Sequence, residues 1–236
     1  MVITAHPDDA ELMFGGLINK YTRNDHEVEI LIVTSGENWN KLGNNNVEEV
    51  KRTRRDEAKA AAKVLGAKKV RFMDYKDGFV NRYELFPKLV DEIRKSNPNY
   101  ILTHAVNEGH FDHKEIGYTV QRVCNIEGEP APIINPYWES KYKPVSSFKG
   151  FYTSNPIKLG INDKSVFVSL QKKDIKKKIE SILCHKSQFP NEKEVSDRIM
   201  LEARFMGSLS KNEYSELLMS IPSTSSQRMG FLTDNF

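Results

Sequence analysis

The chain has little of what identifies several protein classes. Only Cys124 and Cys184 among its 236 residues are cysteines, and their spacing matches neither a zinc finger nor a disulfide framework. We therefore expect free thiols in a reducing compartment and a cytoplasmic protein. No apolar run approaches the ~18 residues that span a bilayer, and no stretch resembles a signal peptide. At most, we expect a peripheral membrane contact.

Neither sign of charge dominates the sequence. Lysine and arginine number 35 against 32 acidic residues, for a net charge of +3. This balance is too even to indicate a nucleic-acid partner. The five lysines within residues 172–178 predict a solvated helix face, with contact to an anionic lipid or a nucleotide-sugar diphosphate as the alternative.

The first two-thirds of the chain alternates apolar runs with amphipathic segments. Strands are predicted at 2–5, 28–34, 69–73 and 100–103, and helices at 11–23, 47–65, 83–95 and 112–125. Such alternation is typical of an α/β fold of the Rossmann-like kind, with a mostly parallel sheet and helices on both faces. The length fits a single domain over residues 1–236.

The remainder of the chain is less regular. Strands are predicted at 150–153 and 165–170, and helices at 172–186, 192–207 and 213–221. The segment 126–145 holds four of the ten prolines, together with Tyr137 and Trp138. We expect it to form a long loop on the side of the active site, and we expect the Asn-rich segment 38–46 to form a mobile loop.

The sequence His6-Pro7-Asp8-Asp9 directly follows the first predicted strand. Imidazole and carboxylate both bind zinc, and a catalytic zinc site keeps three protein ligands and one water. A nearby carboxylate can take a proton from that water. The structural alternative is a proline turn whose carboxylates complement a helix N-terminus. Spacing alone does not separate the roles of Asp8 and Asp9.

A second cluster, Gly109-His110-Phe111-Asp112-His113, lies about a hundred positions further on. With His104 just ahead of it, the two clusters hold four of the six histidines. Both follow predicted parallel strands, whose carboxyl ends share one edge of a sheet. We therefore expect the two clusters to meet at one metal site, where one of His110 and His113 binds the metal and the other faces a substrate oxygen, with Asp112 orienting a ring.

Four motifs resemble those of the PIG-L/LmbE-type deacetylases. The first is His6-Pro7-Asp8-Asp9 with Glu11 and Gly15-Gly16, and the second is His110-x-Asp112-His113 with Gly117. Two weaker patterns are Arg54-x-x-Glu57 and His185-x-Ser187-Gln188. The resemblance extends from His6 to about Gln188.

This resemblance implies a zinc-dependent deacetylase with three metal ligands, His6, Asp9 and His113. It also implies that Asp8 is the general base and that His110, held by Asp112, stabilises the oxyanion or acts as general acid. Arg54 would contact the substrate. Fe²⁺ is a possible alternative to Zn²⁺, because two histidines and one carboxylate also make up the ferrous facial triad.

Three functional hypotheses follow. The first is removal of an acetyl group from an N-acetylated amino sugar in a conjugate or glycan precursor, with a small-molecule or glycoconjugate substrate. The second is a metallo-amidase acting on a non-sugar amide. The third is a non-catalytic module that binds a sugar or nucleotide, although Gly15-Gly16 does not supply the expected Gly-x-Gly-x-x-Gly. The sequence predicts no oligomeric state.

Overall fold

A computed structural model describes residues 1–38, 43, 46–127, 142–145, 148–154 and 160–221. Most of the predicted loop at 38–46, and the part of the predicted loop at 126–145 that holds Tyr137 and Trp138, lie outside these ranges. Within the ranges, no helix has the length and apolar character to cross a membrane.

Seven strands and six helices make up this part of the chain. The strands are β1 (Val2–Thr4), β2 (Glu29–Thr34), β3 (Lys69–Tyr75), β4 (Tyr100–Thr103), β5 (Gly150–Ser154), β6 (Ser165–Leu170) and β7 (Tyr214–Ile221). The helices are α1 (Asp9–Thr22), α2 (Val47–Val64), α3 (Arg82–Ser96), α4 (Phe111–Glu127), α5 (Lys172–Ile182) and α6 (Glu192–Leu209).

The strands form one sheet in the order β3-β2-β1-β4-β5-β7-β6. The five strands from β3 to β5 are parallel, whereas β7 runs antiparallel to both β5 and β6. The segments that follow β1, β3 and β4 therefore leave the sheet at the same edge. This arrangement confirms the predicted α/β class and brings the two histidine clusters to one rim.

Alternate residues of the central strands face opposite layers of helices. Val2 and Ile30 are buried with residues of α1, α2, α5 and α6. Their neighbours Ile3 and Leu31 are buried with residues of α3 and α4. A strand covered on both faces reads as a continuous apolar run, as β1 and β2 do.

The prediction of a helix at 213–221 is wrong, because these residues form β7. Leucine, methionine and glutamate favour helix by intrinsic propensity. Pairing with β5 and β6 overrides this preference and buries Tyr214 and Leu218. Helix α5 also ends at Ile182, so His185 lies in the turn after the helix rather than inside it.

Candidate metal centre

The turn between β1 and α1 carries the first set of functional side chains. His6 follows β1 directly, and its backbone N–H donates to Asp9 Oδ2 at 2.7 Å. Asp8 precedes α1 with φ of 113°, a conformation that costs a non-glycine residue roughly 1–3 kcal/mol. Arg54 stabilises the turn by donating to the carbonyl oxygen of Pro7 at 2.6 Å.

Three side-chain atoms from the two histidine clusters converge at this turn. His6 Nδ1 lies 3.2 Å from Asp9 Oδ2 and 3.2 Å from His113 Nε2. The third side of the triangle, from His113 Nε2 to Asp9 Oδ2, measures 3.4 Å. In a tetrahedral zinc site with bonds of about 2.0–2.2 Å, neighbouring ligand atoms lie roughly 3.3–3.5 Å apart. The three atoms therefore fit around one such ion.

The outer nitrogen of His6 faces two carboxylates. Nε2 lies 3.1 Å from Asp77 Oδ1 and 3.3 Å from Asp112 Oδ2. Asp112 is itself held by the backbone N–H groups of Gly78 and Val80, at 2.7 and 3.3 Å. Carboxylates placed in this way keep the proton on Nε2, which leaves the Nδ1 lone pair directed at the metal position.

His113 is oriented by a separate pair of contacts. Its Nδ1 lies 2.6 Å from Glu108 Oε2, and the other oxygen of Glu108 accepts from Ser154 Oγ at 2.7 Å. Because Glu108 holds the proton on Nδ1, Nε2 is left to bind a metal.

His104 is adjacent but has a different role. It is buried, and its Nε2 accepts the backbone N–H of Ala5 at 2.8 Å. That nitrogen also lies 3.5 Å from Asp9 Oδ2. Since a backbone donor uses the Nε2 lone pair, His104 supports the strand end and packs against His113, with ring centroids 3.9 Å apart. Other triads of possible ligands, including Asp9, His104 and His113, also lie close together.

Carboxylates dominate the electrostatics of the metal-free cluster. Burial opposes the charge on His6, but Asp112, Asp77 and Asp9 raise its pKa to about 12. Burial likewise opposes the charge on His113, and Asp9 and Glu108 raise its pKa to about 9. Despite burial, the neighbouring His113 and His104 hold the pKa of Asp9 well below its usual range. This excess of negative charge suits a divalent cation.

Asp8 and Arg54 form an ion pair beside the three candidate ligands. Arg54 is 2% exposed, and its Nη2 lies 3.1 Å from Asp8 Oδ2. Its Nη1 donates to the carbonyl oxygen of Gly36 at 2.5 Å. Burial raises the pKa of Asp8 to about 6, against the opposing effect of Arg54. Arg54 was predicted to contact the substrate. In the structure, its guanidinium group is already hydrogen-bonded to Asp8 and to two backbone carbonyl groups.

His110 lies on the exposed side of the cluster. Its ring centroid is 4.7 Å from that of His6 and 4.8 Å from that of His113. Its Nδ1 accepts the backbone N–H of Asp112 at 3.3 Å, so Nε2 carries the proton of the neutral ring. Burial and the neighbouring His6 and His113 lower the pKa of His110.

The resemblance implied that Asp112 holds His110, but the structure shows no hydrogen bond between the carboxylate of Asp112 and His110. That carboxylate binds the backbone of residues 78 and 80 and faces His6, because α4 turns it inward from the rim. Only the main chain of Asp112 contacts His110. Asp112 does orient a ring, as its residue type indicated, but the ring belongs to His6.

The two weaker motifs, Arg54-x-x-Glu57 and His185-x-Ser187-Gln188, contact each other. The carboxylate of Glu57 accepts from the backbone N–H and the hydroxyl of Ser187, at 2.8 and 2.6 Å. His185 Nε2 lies 3.3 Å from Glu11 Oε2. These contacts tie α1 and α2 to the turn after α5.

Sequence reasoning gave no role to Asp77 or Glu108. Asp77 follows β3 and precedes Gly78, which has a φ of 79°. A carboxylate in a turn at the end of a strand could have indicated a site residue from the sequence. The contact between Glu108 and His113 depends on the loop before α4, and the sequence held no comparable signal for it.

The chain is similar in sequence to several known proteins. The family model described as PIG-L, GlcNAc-PI de-N-acetylase, matches residues 1–124, which is more than half of the 236 residues. A diacetylchitobiose deacetylase of Thermococcus kodakarensis is 25% identical over 94% of this chain and 82% of its own length. A 4-oxalmesaconate hydratase of Pseudomonas putida is 31% identical over 48% of this chain and 46% of its own.

A solved structure gives the same picture of the fold. An N,N'-diacetylchitobiose deacetylase from Pyrococcus horikoshii, in complex with an inhibitor, superposes with a TM-score of 0.81. The match covers 94% of this chain and 83% of that chain at 23% identity. The fold of this chain therefore belongs to a known architecture.

Proposed function

Because the chain belongs to the PIG-L family of GlcNAc-PI de-N-acetylases, we propose that it is a metal-dependent hydrolase of N-acetylated amino sugars. The proposal rests above all on the triangle formed by His6, Asp9 and His113, with sides of 3.2, 3.2 and 3.4 Å. The similarity to a diacetylchitobiose deacetylase supports the same substrate class. The substrate would be a small molecule or a glycoconjugate.

We propose Zn²⁺ as the ion, held by His6 Nδ1, Asp9 Oδ2 and His113 Nε2. When bound, such an ion polarises a carbonyl group and lowers the pKa of a water molecule towards neutrality. Two imidazoles and one carboxylate also suit Fe²⁺. Elemental analysis of protein purified without chelators separates the two ions.

Asp8 would act as the base. Its carboxylate takes a proton from the attacking water, whose oxygen bonds to the amide carbonyl carbon. When the C–N bond breaks, Asp8 returns the proton to the leaving amine nitrogen, giving acetate and a free amino sugar. The pKa of about 6 for Asp8 leaves it mostly ionised at neutral pH yet basic enough for this role.

His110 would stabilise the developing charge on the carbonyl oxygen. With Nδ1 accepting from the Asp112 backbone, Nε2–H is the available donor. The lowered pKa of His110 favours a neutral donor over a protonated acid. A hydrogen bond that strengthens as charge develops contributes more to the transition state than to the ground state.

Arg54 would act as a positioning residue in this scheme. Its contacts hold the turn that carries Asp8 and keep a positive charge beside that carboxylate. The guanidinium group of Arg54 already donates hydrogen bonds to Asp8 and two carbonyl oxygens. The site therefore suits a neutral amide better than an anionic substrate.

The assay that tests the proposal measures acetate release by zinc-loaded protein. Its substrates are N-acetylglucosamine, N,N'-diacetylchitobiose and N-acetylbutylamine. We expect release from the sugars at a kcat/KM at least tenfold above that for the alkylamide. Equal rates on all three would favour a metallo-amidase for non-sugar amides. No release from any of them, together with hydration of an unsaturated acid such as 4-oxalmesaconate, would favour the hydratase chemistry of a relative.

A further inference from the structure

A cavity of about 510 Å³ opens beside the metal centre. Asp9 and His113 line one end, together with Glu108 and Ser154. Beyond them the wall is mainly apolar and is formed by side chains of α1, α5 and α6, including Leu12, Met13, Ile175, Ile199, Ala203 and Met206. The cavity therefore combines two of the candidate ligands with a largely apolar wall.

Among the charged residues of this wall, Glu202 is exposed to solvent, and the other two neutralise each other. Lys178 donates to Glu216 Oε1 at 2.7 Å, and both residues are buried. The two oxygens of Glu216 also accept the backbone N–H groups of Gly16 and Leu17, at 2.9 and 2.8 Å. Because both charges already have partners within the protein, this ion pair does not require a charged or strongly polar ligand in the cavity.

The other side of the metal centre has the opposite character. Asp8, Arg54, Asp77 and His110 surround it there, and none of them is among the described residues that line the cavity. An amide carbonyl placed at the metal has two substituents, the nitrogen with its sugar and the acyl chain. A hydroxylated sugar suits the polar side, and an acyl chain suits the apolar cavity.

We propose that this cavity is an acyl-chain pocket and that the protein hydrolyses N-acyl amino sugars with chains longer than acetyl in preference to N-acetyl ones. This inference rests on the proposed hydrolase function and specifies the substrate class of the same site. Pockets of about 300–1,000 Å³ hold ligands of drug size. An acetyl methyl group would occupy little of this volume, whereas a longer chain such as hexanoyl would bury more methylene groups against the apolar wall.

The pocket predicts a specific dependence of rate on chain length. Each methylene buried in an apolar wall is worth about a three- to fourfold gain in kcat/KM. Zinc-loaded protein is assayed with N-acetyl-, N-propionyl-, N-butyryl- and N-hexanoylglucosamine, and release of the free amine is measured. We expect kcat/KM to rise at each step, with at least a tenfold total gain.

Two α6 variants locate the effect. Ala203→Phe fills the pocket and should lower the butyryl-to-acetyl ratio of kcat/KM at least fivefold. Ser208→Phe adds similar bulk on the same helix at an exposed side chain that is not among the cavity-lining residues, and it should preserve the ratio. Should Ala203→Phe fail to fold, Met13→Trp fills the same cavity from α1 and should have the same effect.

The outcomes distinguish a failure of the acyl-pocket inference from a failure of the proposed hydrolase function. Turnover of the acetyl substrate with flat or falling rates for longer chains would overturn the acyl pocket and leave the hydrolase in place. An equal loss of rate on all four substrates in the filling variants would also overturn the acyl pocket alone. Absence of amine release from every substrate would overturn the hydrolase and this inference with it.

Discussion

His113 Nε2 lies 3.2 Å from His6 Nδ1, although 107 positions separate the two residues in the chain. Both rings have their other nitrogen directed at carboxylates, Asp77 and Asp112 for His6 and Glu108 for His113. Two lone pairs at this distance repel each other unless a proton or a cation lies between them. This arrangement supports the proposed metal site, whose ligands would be held in place before an ion binds.

Replacing the proposed base tests the division of labour between the two adjacent aspartates. Asp8→Asn should lower kcat about 10²- to 10⁴-fold, because the amide cannot accept the proton of the attacking water. Zinc content should stay at one ion per chain, since Asp8 is not a proposed ligand. The deacetylation rate and the zinc content, measured on the same preparation, check the expected fall in kcat and the expected retention of zinc. A variant that loses zinc and activity together would make Asp8 a ligand.

Zinc binding should release protons. In the metal-free protein the pKa of His6 is about 12 and that of His113 about 9, so the pair is protonated at pH 7. A ligand nitrogen must be unprotonated, so binding displaces at least one proton and the affinity rises as pH increases from 6 to 8. Calorimetric titration with zinc in buffers of different ionisation enthalpy counts these protons. A count near zero would contradict the assigned ligands.

Arg54 should control the pH dependence of the reaction through Asp8. Arg54→Met removes the positive charge that lowers the pKa of Asp8, whose burial already raises it to about 6. Because the base works ionised, the acidic limb of kcat/KM should move to higher pH, and activity should fall more at pH 6 than at pH 8. Arg54→Lys keeps the charge and should keep the limb near its original position. A raised KM with an unchanged limb would instead support the substrate contact predicted from sequence.

Much of the fold was predictable because it depends on local patterns. The apolar runs at β1 and β2 and the amphipathic segments between strands each carry their own signal, and parallel strands direct their following loops to one edge. The meeting of the two histidine clusters at one rim follows from this topology. The confirmed helix α6 likewise follows from its own periodicity.

The errors arose where tertiary contacts override local preference. The residues of β7 have helix-favouring composition, but they complete the sheet between β5 and β6. Lys178 belongs to a run of lysines that predicts a solvated helix face. It is instead buried and forms an ion pair with Glu216 of β7. The partner of Asp112 was missed because side-chain direction at the start of α4 depends on how that helix packs.

Gly117 should be required for the position of α4. A Cβ atom there would lie 2.6 Å from the carbonyl oxygen of His104, and a backbone atom cannot easily move. Gly117→Ala should lower the free energy of unfolding by about 1–3 kcal/mol despite the better helix propensity of alanine. Since α4 carries His113, zinc affinity should fall too. Gly150→Ala is the matched control, because its added Cβ meets nothing within 4 Å. Thermal unfolding checks both, and equal melting temperatures would refute the steric account.

The central claim is that one divalent ion binds His6, Asp9 and His113 together. The most direct measurement is a crystal structure of zinc-loaded protein with anomalous scattering recorded on both sides of the zinc edge. The account predicts one strong peak per chain, about 2.0–2.2 Å from His6 Nδ1, Asp9 Oδ2 and His113 Nε2. A peak bound through His104, or between His6 Nε2 and the carboxylates of Asp77 and Asp112, would contradict it.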